Sequence, residues 1–168
     1  DMQVVSVDEK LLQRLRIDTR GIQAYPPDKD KSIVLSDDSY KDEWGIIYKA
    51  SRKDEEILYY NVDESPLLSF TSVHEIEGYN WPDPFDPGRT RGLKEKARVL
   101  KEKTDFALVG HMGDTSIFET CTLLRGMEQF LIDLIVNKRL AQTLLERVLE
   151  IQSVKISRYL DEVGEYLD

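Results

Sequence analysis

The sequence contains very few residues for sulfur or imidazole chemistry, with one cysteine and two histidines among 168 residues. A single cysteine cannot form a disulfide within the chain, and a zinc site needs three or four Cys, His or carboxylate ligands at close spacing. The sequence also lacks the run of about 20 apolar residues that a membrane-spanning helix requires. We therefore expect no disulfide framework, no zinc site formed by this chain alone, no membrane contact and a reducing, cytoplasmic setting.

Basic residues are outnumbered by acidic ones, 23 to 32, which gives a formal net charge of -9. General nucleic-acid binding depends on a basic surface that neutralises phosphates, so this balance argues against that function. The acidic excess lies within residues 1–88, because residues 89–168 carry equal numbers of acids and bases. The 40% hydrophobic content is sufficient for one buried core.

The first half of the chain predicts short, irregular elements. Leu11, Leu12 and Leu15 follow a helical spacing, and a turn-rich segment comes after them at 25–28. Three β-like runs at 33–35, 44–48 and 57–60 are separated by polar, turn-favouring residues. They predict an antiparallel hairpin or a three-stranded meander.

A proline-rich corner at 79–88 marks a boundary, because its prolines forbid a regular helix or a central strand. Asp86 is placed to cap the next helix with Pro87 as its first residue, and we expect that helix to end near Lys103. Seven basic residues lie between 89 and 103. They form either the solvated face of an amphipathic helix or a surface for an anionic partner.

The next segment, 105–110, is a continuous apolar run that is typical of a parallel strand buried on both faces. A helix followed by such a strand indicates an α/β fold. Ser116 and Glu119 then have the spacing of a capping box. They predict a long helix to about Asn137, which a second long helix follows.

Candidate ligand contacts lie just after that strand, because ligands of α/β sheets bind at the carboxyl ends of strands. Glycines there let the backbone approach a ligand, and the histidine and aspartate can exchange protons. The alternative is a tight turn with a partly exposed histidine. Cys121 is either a small core thiol or a nucleophile or ligand contact. His74 is either solvated at the surface or a metal ligand or acid–base group. The candidate substrate-binding residues are Gly110, His111, Gly113, Asp114, Ser116 and Cys121.

Several segments, in order, resemble the uroporphyrinogen decarboxylase family in its broad sense, which includes corrinoid-linked methyltransferases. The resemblance covers nearly the whole chain and is strongest to the decarboxylase-like branch. Its pieces are Ile17-Asp18-Thr19-Arg20, Asp42-Glu43-Trp44-Gly45-Ile46, Tyr59-Tyr60, Ser65-Pro66-Leu67, Trp81-Pro82-Asp83-Pro84, Asp86-Pro87, and Leu124-Arg125-Gly126-Met127-Glu128 through Asp133.

The resemblance implies part of a (β/α)8 TIM barrel of about twice this length, with a cleft for a tetrapyrrole at the carboxyl ends of its strands. The chain is then an incomplete TIM-barrel domain over 1–168. Residues 1–88 form a segment with an antiparallel β-hairpin insertion, and residues 89–168 form a helix-strand-helix-helix segment that ends in long helices. The start at Asp1 and the open helical pattern at 164–168 agree with a portion of a longer protein.

The same resemblance implies which partners and cofactors belong to the full-length protein. The arginine-rich substrate motif and the His and Cys zinc ligands of the family do not lie in this sequence. We therefore expect no cofactor in this chain, and zinc and a corrinoid in the full-length protein. The expected partners are a tetrapyrrole or a corrinoid protein, together with the rest of the barrel or a second copy of the chain.

Residues 109–126 can be aligned one by one with the family's strand-loop-helix segment. Decarboxylases have Gly-x-x-Gly-x-Pro-Trp/Phe-Thr there, followed by a substrate-facing tyrosine. This chain keeps Gly110 and Gly113 but has Thr115-Ser116-Ile117 in place of the Pro-aromatic-Thr, and Cys121 takes the tyrosine position. A thiol is shorter than a phenol and a weaker hydrogen-bond donor.

The departure from that pattern favours the corrinoid-linked methyl-transfer branch, with His111 as the first substrate contact and Asp114 and Ser116 in support. One alternative is uroporphyrinogen decarboxylase itself, a lyase of porphyrin biosynthesis. Another is a non-catalytic, truncated binding or assembly module. In every case we expect this chain alone to be inactive.

Overall fold

The computed structural model describes residues 7–113 and 116–168. Its helices are α1 (Glu9–Arg14), α2 (Val73–Glu77), α3 (Leu93–Lys103), α4 (Ile117–Arg125), α5 (Met127–Val136) and α6 (Lys138–Val163). Its strands are β1 (Thr19–Gln23), β2 (Ile33–Ser36), β3 (Ser39–Lys41), β4 (Ile47–Lys53), β5 (Glu56–Glu64) and β6 (Ala107–His111). Short 3₁₀ turns cover Pro87–Arg89 and Gly164–Tyr166.

The strands form two separate sheets. β1 pairs with β6 in a two-stranded parallel sheet, and β2, β3, β4 and β5 form an antiparallel sheet in that order. The expectation of a TIM-barrel portion is wrong, because a barrel is a closed ring of parallel strands and the described residues form one parallel pair and no closed barrel. The chain is instead a small α/β protein.

The chain divides into two compact units, each built from separate segments. Unit 1 contains 30–84 and, among the described residues, 116–153. Unit 2 contains 85–113, 154–168 and the described residues of the first 29. Helix α6 therefore contributes its first part to unit 1 and its last part to unit 2.

The core of unit 1 is formed by the antiparallel sheet together with α2, α4, α5 and the first part of α6. Tyr48 and Val62, which pair across β4 and β5, turn the same face of the sheet toward this core. Within the core, the rings of Trp44 and Trp81 meet edge to face with centroids 6.3 Å apart. The fully buried large side chains include Ile46, Leu67, Ile76, Leu124, Phe130, Leu140, Leu144, Val148 and Ile151.

Unit 2 has a smaller core around the parallel sheet and α3. Its buried members are Ile22, Leu93, Ala97, Leu108, Tyr159 and Val163. Arg20 is also buried here, where it bonds to a carboxylate oxygen of Glu9 at 2.9 Å and lies 3.7 Å from the ring centroid of Phe106. The arginine therefore has both an ionic partner and an aromatic one.

Local signals in the sequence predict several elements correctly. The end of α3 at Lys103 is as expected, but its expected start is wrong. Asp86 and Pro87 begin the short 3₁₀ turn Pro87–Arg89, in which Asp86 accepts a hydrogen bond from the N–H of Gly88, and α3 itself begins at Leu93 after Gly92, without a side-chain cap. The long helix expected to reach Asn137 is broken at Gly126, whose φ of 81° interrupts it between α4 and α5. A Cβ at Gly126 would also lie 3.1 Å from Leu68.

The helices of the described residues include none that is both long and apolar enough to cross a membrane.

Candidate functional site

The parallel sheet of unit 2 brings two polar side chains together at the carboxyl ends of its strands. Gln23 of β1 stands opposite His111 of β6 in the register, and both residues are exposed. The N–H of Ala24 donates to the carbonyl of His111 at 3.0 Å, and the N–H of His111 donates to the Tyr159 hydroxyl at 3.3 Å. The backbone that carries the imidazole is therefore held from two sides.

Among the described residues, only one face of this sheet is covered. Ile22 and Leu108 point into the core of unit 2, whereas Gly21, Gln23, Val109 and His111 alternate onto the other face and are exposed. Val109 is 51% exposed, and a Cβ added at Gly21 would meet nothing within 4 Å. We call this surface, formed by Gly21, Gln23, Val109 and His111, the open face.

An open face is unusual for parallel strands, which are ordinarily covered on both sides. The expectation that residues 105–110 form a strand buried on both faces is therefore wrong. The strand and its parallel pairing with β1 are present. The side chains that alternate onto the outer face of the two-stranded sheet, however, are exposed to solvent.

A cationic side chain lies close to the loop that follows β1. The ammonium of Lys96 lies 5.7 Å from the ring centroid of Tyr25, and the N–H of Tyr25 donates to the carbonyl of Arg89 at 2.9 Å. On the β6 side, Gly113 adopts a φ of 79°, and a Cβ there would lie 4.0 Å from the amide nitrogen of Gln23. The carboxyl end of the sheet thus carries an amide and an imidazole, and the loop after β1 adds a phenol with an ammonium group beside it.

Gly110 has a packing role that its place in the sequence does not show. A Cβ at this position would lie 2.8 Å from Cδ1 of Leu167 and 3.1 Å from the hydroxyl of Tyr159. The same hydroxyl donates to the carbonyl of Ile22. Glycine is therefore needed here so that Tyr159 can approach the sheet on its covered side.

The remaining predicted contacts fall in unit 1 or outside the described residues. Ser116 caps α4 by accepting a hydrogen bond from the N–H of Glu119 at 3.2 Å. Cys121 is fully buried in the core of unit 1, and burial raises the pKa of its thiol to about 12. Asp114 lies outside the described residues.

His74 lies on α2 and is exposed. Among residues 7–113 and 116–168, no group of three or more His, Cys, Asp or Glu side chains is arranged to hold a metal ion. These residues therefore do not fit a zinc ion, whose sites need three or four such ligands.

The basic run at 89–103 lies largely on the exposed side of α3, where several of its members have acidic partners. Arg98 bonds to Glu95 at 2.7 Å and to Glu102 at 2.7 Å, one turn away on either side. Lys94 lies 3.2 Å from Glu165. Such exposed pairs stabilise a helix only slightly, and they reduce the positive charge available to an anionic partner.

A second polar site, in unit 1, has no counterpart among the sequence expectations. A cleft of about 490 Å³ contains the partly buried carboxyl group of Asp42, which accepts a hydrogen bond from the N–H of Ile46 at 2.9 Å. Burial raises the pKa of Asp42 to about 6, although hydrogen bonds from Ile46, Trp44 and Tyr48 oppose that shift. The residues lining the cleft are Asp30, Lys31, Ile33, Lys41, Asp42, Glu43, Gly45, Tyr79 and Asn80.

The hydrogen bonds of Asp42 show that its main task is to shape the turn before β4. The N–H of Gly45 donates to the carbonyl of Asp42 at 3.0 Å, and Gly45 adopts a φ of 83°. The Tyr79 hydroxyl donates to the carbonyl of Trp44 at 2.8 Å and would collide with a Cβ at Gly45. The Asp-x-x-Gly spacing was a signal for this turn, but nothing in the local sequence shows the burial of the carboxyl group.

Comparison of the chain with protein-family models, with curated proteins and with solved structures gives no match. The resemblance to the uroporphyrinogen decarboxylase family thus rests on the sequence motifs alone.

Proposed function

We propose that the open face of unit 2 binds a ligand, and that this ligand is a tetrapyrrole or corrinoid macrocycle of the kind that the sequence resemblance implies. The observation that carries the proposal is the uncovered side of a parallel sheet, with free space above Gly21 and polar groups at its carboxyl end. Ligands of α/β proteins bind at such ends.

A flat macrocycle fits the chemistry of the open face. Val109 is half exposed and Gly21 has no side chain, so an apolar ring placed there removes hydrocarbon surface from water. The imidazole of His111 is a common ligand for transition metals, and cobalt is the metal of a corrinoid. The amide of Gln23 is suited to bind the carboxylate or amide groups at the ring edge.

The proposed role is binding and orientation rather than bond making. When bound, a corrinoid supplies the methyl-transfer chemistry through its cobalt. The chain's own contribution is an exposed imidazole carried on a fixed backbone, because the main chain of His111 is tied to Ala24 and Tyr159. Because the described residues do not fit a zinc ion, activation of a thiol acceptor would fall to other residues or to another chain.

Titration with hydroxocobalamin tests the proposal directly, because imidazole coordination to cobalt shifts the visible absorbance bands. We expect the native chain to shift these bands, and His111→Ala to abolish the shift. The matched control is His74→Ala, since His74 is the other histidine of the chain and is also exposed. Equal titrations for the two variants would contradict the assignment of His111.

A second variant tests the open face independently of cobalt coordination. Gly21→Val fills the space above β1, and valine is well tolerated in strands. We expect this variant to keep its unfolding temperature and to lose binding of both hydroxocobalamin and uroporphyrin. Undiminished binding by Gly21→Val would refute the open face as the site. A separate outcome, release of carbon dioxide from uroporphyrinogen that depends on His111, would indicate decarboxylation in place of methyl transfer.

A further inference from the structure

Helix α5 of unit 1 presents an apolar surface to solvent. Five of its residues are large, hydrophobic and 43% to 78% exposed, whereas Phe130 and Asp133 on the other side are buried. The exposed five are Met127, Leu131, Ile132, Ile135 and Val136. A solvated helix face is ordinarily polar, so this surface indicates a contact with another molecule.

The exposed residues cover one continuous half of the helix. At about 100° per residue, Met127, Leu131 and Ile135 form one row along the axis, and Ile132 and Val136 form the row beside it. Glu128 begins the second row, in the first turn, and is exposed. We call this surface, Met127, Glu128, Leu131, Ile132, Ile135 and Val136, the α5 face.

The two ends of the α5 face carry opposite charges. Glu128 lies at the first turn, and the exposed Lys138 and Arg139 begin α6 directly after the last turn. Among the described residues, none of these three side chains forms an ion pair. An acid at one end and two bases at the other make the surface complementary to itself when it is turned end for end.

We propose that the α5 face is the contact surface between two copies of this chain, which pair antiparallel about a two-fold axis. In that arrangement Leu131, Ile132 and Ile135 of both copies form the apolar centre. Glu128 of each copy lies near Lys138 and Arg139 of the other. A two-fold contact uses the same patch on both partners, which is what a self-complementary surface requires.

The charge of the whole chain makes this surface a favourable place for self-association. Two copies with a net charge of -9 repel one another at most orientations. Of the three charged side chains at the ends of the α5 face, however, two are basic and one is acidic. An antiparallel contact places Glu128 of each copy beside Lys138 and Arg139 of the other, which offsets part of that repulsion.

Sedimentation equilibrium of the full 168-residue chain tests the proposal over a protein range of about 1 to 500 μM. We expect a reversible monomer–dimer equilibrium. Leu131→Glu buries a charge in the apolar centre and should raise the dissociation constant by about 100-fold or more. The matched control is Leu149→Glu, because Leu149 lies on α6 of the same unit and is 48% exposed, against 47% for Leu131.

Charge reversal tests the antiparallel arrangement separately. Glu128→Lys should weaken the dimer by about 3- to 10-fold, since it replaces two attractive contacts with repulsive ones. Lys138→Glu with Arg139→Glu should weaken it similarly. The combination of all three changes should restore the native dissociation constant.

Three outcomes would overturn the proposal. If the chain stays monomeric throughout the concentration range, the α5 face does not join two copies and instead contacts a different protein or a segment outside this sequence. A dimer equally sensitive to Leu131→Glu and Leu149→Glu uses another surface. Failure of the triple reversal to restore association rules out the antiparallel contact. Ile135→Glu guards against a folding artefact, because its side chain is 77% exposed and supports no core.

Discussion

The guanidinium of Arg125 lies 2.6 Å from the carboxylate of Asp133, and each side chain is only 4% exposed. The same guanidinium donates to the carbonyls of Leu67 and Leu68, the latter at 2.9 Å, and Gln129 donates to Asp133 at 2.9 Å. The pair thereby joins α4 and α5 to the segment after β5. It gives a structural reason for two charged residues in the stretch 124–133, which the family resemblance alone left without a role.

Removing one member of this buried pair should destabilise the protein strongly. Asp133→Ala leaves the Arg125 guanidinium without its ionic partner, and we expect the free energy of unfolding to fall by about 3 to 5 kcal/mol. Urea denaturation at neutral pH measures the loss. As a control, Glu150→Ala breaks the exposed pair with Arg147 and should cost less than about 1 kcal/mol. Similar losses for the two variants would contradict the structural role of the buried pair.

The elements that the sequence predicts well are those fixed by neighbouring residues. The end of α3 at Lys103 and the cap of α4 at Ser116 depend on groups a few positions away, and both are correct, whereas Asp86 caps a short 3₁₀ turn and not α3. The barrel was wrong because the partner of a strand is decided by distant residues. β6 pairs with β1, and among residues 7–113 and 116–168 no further strand joins either edge of that pair, as a barrel would require.

The sequence predicted where the candidate site residues lie relative to the strand but not what surrounds them, and their role in ligand binding stays a prediction. The carboxyl end of the apolar run was recognised from general rules for α/β proteins, and the structure places Gln23 and His111 there. Which face of the strand is covered cannot be read locally, because Val109 is apolar yet half exposed. Asp42 was missed for the opposite reason, since a charged residue in a polar stretch gives no sign that folding buries it.

The stability of the protein should decrease as Asp42 ionises. Burial raises the pKa of this carboxyl group from its usual value of 3.8 to about 6. The folded state therefore favours the protonated form. The destabilisation is absent below pH 4, develops between pH 4 and 6, and is complete above, with a size on the order of 2 to 3 kcal/mol.

Asp42→Asn removes the titration and keeps an oxygen that can accept from the N–H of Ile46. We expect the stability of this variant relative to the native chain to rise between pH 4 and 6 and to stay constant above that range. Chemical denaturation at a series of pH values measures the difference. A difference that is independent of pH would show that Asp42 titrates normally.

The thiol of Cys121 should react very slowly in the folded protein. Its side chain is fully buried, and burial raises its pKa from 9.0 to about 12, so the thiolate is about a thousandfold less abundant at a given pH. Alkylation by iodoacetamide at pH 8, followed by mass spectrometry, measures the rate. Addition of urea should restore ordinary reactivity. Rapid labelling of the native chain would contradict a core position and revive a contact role for this residue.

Two glycines of the same parallel sheet should respond oppositely to alanine. A methyl group at Gly21 meets no atom within 4 Å, and the loss of unfolded-state freedom should stabilise Gly21→Ala by about 0.4 to 1 kcal/mol. At Gly110 the methyl group would press on Leu167 and Tyr159, and Gly110→Ala should cost about 1 to 2 kcal/mol. Thermal unfolding compares the two variants, and a stabilised Gly110→Ala would refute the packing role of that position.

Unit 2 is built from separate segments of the chain, and this limits the order in which the unit can fold during synthesis. β1 is made before residues 30–84 of unit 1, β6 follows only after them, and Asp168 is needed later than both strands because its N–H donates to the carbonyl of Leu108 at 3.0 Å. On the ribosome, β1 must wait without its partner strand for more than 80 residues of further translation. During that interval its unpaired edges are exposed to other chains, so early chaperone binding to the nascent β1 segment would protect the yield of folded protein.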